Sequence, residues 1–264
     1  MRARICCWAV VAVVGALAGS AGAQSSEPVC SVGFSSLLSP GGGGRGSTAY
    51  TATVKSTYEQ QLPDGSFIRG YAVSHLARDG AGRTMIEHPV SCWRDENGVP
   101  QLWMTVMTFD PIAKTHMNWG VNDHSVDKVV HVFHEVPRKP LTPEEQAAQR
   151  KRVPAKPTSA LEIKSEDLGT RTIAGVEAHG QRTTMTQPPG EVGNELPLVI
   201  TDEKWYAKDL GIEVMEIRDD PRIGRSTYEV QELKTGEPDA ALFSPPATYK
   251  IKDPNAPANG MAKP

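Results

Sequence analysis

Histidine is the residue type with the most chemical potential in this sequence, because six of its seven copies fall between His75 and His134. A neutral imidazole ligates transition metals, and an imidazole near its pKa transfers protons. On a strand, the spacing of His131 and His134 turns their side chains to opposite faces. A metal or acid–base site therefore requires His131 to converge with His75 or His116 from a neighbouring strand. The alternative is a set of solvated or singly hydrogen-bonded histidines.

Catalytic motifs are otherwise missing from the sequence. His134-Glu135 resembles the opening of a zinc-protease motif, but Val136 and Pro137 follow and the second histidine is absent. The chain also has no Gly-x-Ser-x-Gly elbow, phosphate loop or Cys-x-x-Cys pair. We therefore predict no catalytic residues, no metal ligands and no cofactor. A hydrolase or metal-dependent enzyme that uses the His-rich first half is the alternative function.

Acidic and aromatic side chains offer two further candidate sites. Glutamates in neighbouring predicted strands lie near basic residues of the same strands, so we expect ordinary ion pairs. Apolar and aromatic side chains are spread over strands that should share one large sheet. If that sheet curves, they line a cavity for an apolar ligand; the alternative is a filled core. The glutamates are Glu203, Glu213, Glu216 and Glu229. The predicted ligand-binding residues are Trp103, Met107, Trp119, Trp205, Tyr206 and Phe243.

The N-terminus has the three parts of an export signal. Arg2 and Arg4 precede an apolar run, and Ala21-Gly22-Ala23 is a small-x-small cleavage site. A membrane-spanning helix needs about 20 apolar residues, and this run is shorter. We therefore expect residues 1–23 to be a signal peptide cleaved near Ala23. A periplasmic or secreted protein with no membrane span would remain.

Composition restricts the partners of the mature chain. Removal of residues 1–23 takes away two arginines and no acids, so the formal net charge falls from −3 to −5. That charge disfavours nucleic acid and anionic lipid surfaces as main partners. An exported location permits a disulfide between the two remaining cysteines, Cys30 and Cys92. A buried free Cys92 is the alternative.

The pattern of the remaining chain predicts an all-β fold with one or two short helices. Residues 24–47 are rich in Ser and Gly and read as a flexible leader. From residue 48 to 252, period-two alternation and Gly-containing turns predict ten or eleven strands in one domain, before a disordered tail at 253–264. Hairpins are expected at Asn97-Gly98 and Ala174-Gly175. With no βαβ alternation, we predict one curved antiparallel sheet or open half-barrel.

Residues 137–167 interrupt the strand pattern. Thr142 is placed as a helix N-cap, Pro143 at the first helical position and Glu145 as the closing residue of a capping box. We expect a surface crossover that carries one short helix. Two separate meanders, divided at this segment, are the alternative architecture.

The second half of the chain resembles a family of uncharacterised exported proteins of acidobacteria. The similarity lies in Glu166–Ala178, Arg182-Thr183-Thr184, Gly190–Glu195, Glu203–Tyr206 and Asp220–Gly224. It implies no function.

A further resemblance, at the level of fold, is to the sensor domains of periplasmic lipoprotein carriers and sigma-factor regulators. The hairpin of Trp205-Tyr206 and Gly211–Val214 and the segment Pro238–Tyr249 are similar to theirs. Those domains are curved half-barrels, and the resemblance implies a hollow that binds acyl chains. We therefore predict a non-catalytic periplasmic module that binds an apolar small molecule, a lipid or another envelope component.

Overall fold

The computed structural model describes residues 48–121, 128–135, 142–146 and 161–255. Their strands form one twelve-stranded sheet that is open, curved and almost entirely antiparallel, which confirms the predicted fold class. The signal peptide, the leader and Cys30 lie outside these residues. The strands are β1 Tyr50–Gln61, β2 Phe67–Arg78, β3 Thr84–Arg94, β4 Pro100–Asp110, β5 Thr115–Gly120, β6 Val129–His134, β7 Glu162–Ile173, β8 Val176–Gln187, β9 Leu198–Ala207, β10 Ile212–Asp220, β11 Gly224–Thr235 and β12 Lys250–Lys252.

The sheet consists of two meanders joined side by side. Strands β1 to β6 follow one another in space, as do β7 to β11, and antiparallel pairing of β1 with β11 connects the two sets. The spatial order is β12-β6-β5-β4-β3-β2-β1-β11-β10-β9-β8-β7. A short 3-10 helix, η1 (Ala240–Phe243), leads from β11 to β12, which pairs with β6 in parallel.

Two strands differ from the sequence prediction. The edge strand β7 begins at Glu162, inside the segment predicted as a crossover. Its residues as far as Asp167 are all exposed, so no buried side alternates with polar residues to mark a strand. Backbone pairing with β8 forms it instead. The other strand, β12, is too short at three residues to produce any pattern.

The predicted capping box is present. The Thr142 hydroxyl accepts a hydrogen bond from the Glu145 amide at 3.2 Å, and the Glu145 carboxylate accepts one from the Thr142 amide at 2.8 Å. The first helical hydrogen bond follows, from the Gln146 amide to the Thr142 carbonyl at 2.9 Å. The rest of the predicted helix lies outside the described residues.

The β7–β8 hairpin turns through Ala174-Gly175, as predicted, with φ of 48° and 82°. Two positive φ values suit a two-residue hairpin turn, but the Cβ of alanine is disfavoured in that region. We expect Ala174→Asn to raise the free energy of unfolding by about 0.5–1 kcal/mol, because asparagine tolerates the left-handed conformation better. Urea unfolding would measure this difference. Ala174→Val should lower the free energy of unfolding, and equal stability of the Asn and Val variants would contradict this explanation.

Two apolar clusters are buried at the sheet. One spans β1, β2 and β7 to β11 and includes Val54, Val214 and Val230. The other lies on β2 to β6 and includes Trp119, with Phe243 of η1 packed into it. No helix in the described part of the chain is long and apolar enough to cross a membrane.

Candidate binding surfaces

Strand β4 has two sides with contrasting environments. Val106 lies opposite Trp119 of the neighbouring strand β5, and both side chains belong to the buried cluster into which Phe243 packs. Met107 faces the other way, because neighbouring residues of a strand alternate between faces. Its cross-strand neighbours are Ile86 on β3 and Asn118 on β5. The register therefore separates a covered side of β4 from an uncovered one.

The uncovered side carries large apolar side chains. Trp103 and Met107 share this face of β4, and the register extends it from Phe109 through His116 to Phe133 on β6. The Phe109 and His116 rings stack with centroids 4.6 Å apart. Trp103, Met107 and Phe133 keep exposed fractions of 47%, 45% and 51%. We name these three residues, together with the partly buried Ile86 and Phe109, the apolar surface. Ile86 also packs against the buried cluster that includes Leu76 of β2.

The structure does not bring the six predicted ligand-binding residues together. Trp103 and Met107 belong to the apolar surface, whereas Trp119 and Phe243 are buried on the opposite side of the same strands. Trp205 and Tyr206 lie on β9, in the other meander, with Trp205 buried and Tyr206 exposed. The sequence does not specify which distant strands pair, so it does not specify which aromatic side chains share a face of the sheet. Ile86, Phe109 and Phe133 were not among the predicted ligand-binding residues, although Phe109 alternates with the polar residues Thr108 and Asp110.

Trp205 fills space in its part of the sheet. Its ring lies directly over Gly180 of β8, where an added Cβ would meet three ring atoms at 2.7 Å. The guanidinium carbon of Arg171 lies 3.9 Å from the ring centroid, within cation–π range. The indole nitrogen donates a hydrogen bond to Glu203 at 2.8 Å. Contacts of these kinds make Trp205 a packing residue.

The described histidines His75, His116, His131 and His134 are divided between the two faces of the sheet. His116 and His131 share a face, since His131 pairs with Asn118, while His134 pairs with Thr115 and points the other way. His75 lies on β2, on the face opposite to His116. Within the described ranges, no group of three or more His, Cys, Asp or Glu residues is arranged to hold a metal ion.

Three of the four glutamates, Glu203, Glu213 and Glu216, form the expected ion pairs, whereas Glu229 pairs with none of the described residues. The pairs around Lys204 are unusual. Lys204 Nζ lies 3.0 Å from Glu216 Oε1 and 3.5 Å from Glu213 Oε2. Burial and the nearby charge of Glu216 raise the pKa of Glu213 to about 7. Burial likewise raises the pKa of Asp202, which pairs with Arg218 at 3.7 Å. This cluster therefore holds more carboxylates than its lysine can neutralise.

Comparison with known proteins finds no matching protein-family model and no similar curated protein. Among solved structures, the chain is similar to an uncharacterised conserved protein from Thermus thermophilus, with 9% identity, a TM-score of 0.39 and coverage of 78% of this chain and 91% of the other. It is also similar to the MucA/MucB complex of Pseudomonas aeruginosa, with 12% identity, a TM-score of 0.31 and coverage of 76% and 56%. A LolA superfamily protein from Nitrosomonas europaea shows 7% identity, a TM-score of 0.22 and coverage of 75% and 90%.

The solved structures thus include a LolA superfamily protein and a MucA/MucB complex. The resemblance to acidobacterial exported proteins stays a prediction. Because the TM-scores and identities are low, the function has to be argued from the residues of this chain.

Proposed function

We propose that this chain is a non-catalytic binding module of the cell envelope that takes an apolar ligand on the apolar surface of β3 to β6. The observation that carries the proposal is the contrast between the two sides of these strands. On one side, Val106 and Trp119 have exposed fractions of 7% and 5% under Phe243. On the other side, Trp103 and Phe133 remain about half exposed.

Leaving such side chains in water has an energetic cost. Burial of apolar area contributes about 25 cal/mol per Å². A ligand that covers this side therefore binds with a favourable free energy and leaves the core on the opposite side undisturbed. Contiguous exposed apolar side chains on soluble proteins commonly mark sites of interaction. A sheet face is broad and shallow, which suits an acyl chain or a flat apolar molecule better than a small polar metabolite.

The proposal is tested by native mass spectrometry of the full chain after mild purification. We expect an adduct with the mass of a lipid or another apolar molecule on the native protein. The double variant Trp103→Ser/Phe133→Ser should lose it, because it removes the two outer apolar side chains. The control Leu196→Ser changes a residue that is 76% exposed outside this surface, and it should keep the adduct.

The outcomes separate the ligand classes. A lipid-sized adduct that survives only in the native chain and the Leu196→Ser control supports the proposal. The proposal would be contradicted if the native chain carried no adduct. It would also be contradicted if the double variant kept the adduct. Co-purification of a protein in place of a small molecule would overturn the apolar-ligand assignment in favour of an envelope protein partner.

A further inference from the structure

A groove of about 270 Å³ lies on the face opposite the apolar surface, between the sheet and Leu242 of η1. Its floor is formed by β11, β1, β2 and β3. Glu87 points into it, whereas Ile86, the residue before it, belongs to the apolar surface. A water molecule occupies about 30 Å³ in the liquid, so the groove accommodates a small molecule.

A row of polar side chains crosses the floor. In the register, Glu87 of β3 lies opposite His75 of β2, and His75 lies opposite Thr53 of β1. Thr53 in turn lies opposite Glu232 of β11. Neighbouring strands are about 4.8 Å apart, so the backbones of Glu87 and Glu232, three strand spacings apart, are separated by about 14 Å across the sheet. His75 Nδ1 lies 3.5 Å from the Thr53 hydroxyl, which is the limit of a hydrogen bond.

The charges in this row are not balanced at its two ends. Among the described residues, Glu87, Glu232 and Lys234 form no ion pair. Lys234 lies two residues after Glu232 on the same face of β11, so its charge offsets that of Glu232. Glu87 has only His75 and Val106 as cross-strand neighbours. The β3 end of the groove therefore carries one uncompensated negative charge.

Apolar side chains accompany that charge. Met85 shares the groove-facing side of β3 with Glu87 and is 5% exposed. Leu242 of η1 also lines the groove and is 38% exposed. A carboxylate beside apolar side chains is matched by a ligand that combines a positive charge with a short hydrocarbon body. The charged end gains a charge-assisted hydrogen bond, and the hydrocarbon is removed from water.

We propose that this groove binds a small organic ammonium ion. The ammonium group donates hydrogen bonds to the Glu87 carboxylate, beside the imidazole ring of His75, and the body of the ligand lies against Met85 and Leu242. This site lies on the opposite face from the apolar surface, so it is independent of the proposed function. The two can fail separately.

Calorimetric titration of the full chain with n-pentylammonium chloride tests the proposal, with n-pentanol and pentanoate as neutral and anionic probes of similar size. We expect the ammonium ion to bind at least about tenfold more tightly than the alcohol, and the pentanoate not to bind. Glu87→Gln should lower the affinity for the ammonium ion by about tenfold, because the amide keeps the shape of the side chain and removes its charge. Equal binding of the ammonium ion and the alcohol would overturn the proposal.

Two further variants keep the test decisive. Glu229→Gln changes an exposed carboxylate of β11 that does not line the groove, so binding of n-pentylammonium should stay at the native level. If Glu87→Gln does not fold, Leu242→Lys provides the second test, since a lysine at the partly exposed rim should repel the ammonium ion. Native-level binding in a folded Glu87→Gln or Leu242→Lys chain would contradict the site.

Discussion

Gly180→Ala is expected to lower the free energy of unfolding by about 2–3 kcal/mol, the upper part of the range for overpacking a well-filled site. The added Cβ would meet three atoms of the Trp205 ring at 2.7 Å, closer than van der Waals contact allows. The ring cannot move aside without cost, because Arg171 stacks on it and Glu203 accepts its indole hydrogen bond. Urea unfolding of the native chain and the variant measures the difference.

A double-mutant cycle identifies the Trp205 ring as the cause. Trp205→Leu removes buried aromatic area and is destabilising by itself, by about 2–4 kcal/mol. Once the ring is absent, Gly180→Ala should lower the free energy of unfolding much less. The loss in the double variant should therefore be smaller than the sum of the losses in the two single variants. Gln181→Ala, at an exposed neighbouring position of β8, should stay within about 0.5 kcal/mol of the native chain. Additive losses in the cycle would refute the steric explanation.

Glu213→Gln is expected to raise the free energy of unfolding at pH 8 by about 1–2 kcal/mol. Burial and the charge of Glu216 raise the pKa of Glu213 from 4.5 to about 7 in the folded chain. The folded state therefore binds this proton more tightly than the unfolded state does. The stabilisation is complete below about pH 4.5 and is lost as the pH rises through about 7.

The magnitude follows from the pKa difference and the exposure of the side chain. A shift from 4.5 to about 7 has an upper limit of about 3.4 kcal/mol at 1.36 kcal/mol per pKa unit. The Glu213 side chain is 24% exposed and lies 3.5 Å from Lys204, so solvent screening and the ion pair reduce the effect. Glutamine keeps the shape of the side chain and does not ionise, which removes this dependence on pH.

Urea unfolding at intervals between pH 5 and pH 8 checks this expectation. The native chain should lose stability as the pH rises, and Glu213→Gln should have a flatter profile that exceeds the native one at pH 8. Glu177→Gln provides the matched control, because Glu177 is an exposed strand carboxylate on β8. It should follow the native profile. Parallel profiles for the native chain and Glu213→Gln would show that Glu213 has no such role.

Local structure could be predicted closely from the sequence. Period-two alternation from Tyr50 onward predicted strands, and Ala174-Gly175 predicted its hairpin, because both signals depend on residues adjacent in the chain. The capping box of Thr142 and Glu145 has the same local origin. Strand β7 was missed over Glu162–Asp167, since an exposed edge strand held by backbone pairing has no hydrophobic period.

The arrangement of the candidate sites depends on contacts between distant residues. Pairing of β1 with β11 joins residues that are more than a hundred positions apart, and no local signal specifies it. That pairing also places Glu232 in one row with His75, so the groove could not be read from either strand alone. The aromatic residues were grouped by type, but the register and the docking of Phe243 decide which of them are covered.

The sequence by itself determined that this protein is a strand-rich chain with hairpin turns and no familiar catalytic motif, because alternation and turn chemistry act over a few residues. Only the tertiary structure decided that Trp205 packs over Gly180 while Trp103 faces outward. The physical reason is that burial is a property of pairs of surfaces. The side of a strand that becomes a core depends on which distant segment covers it.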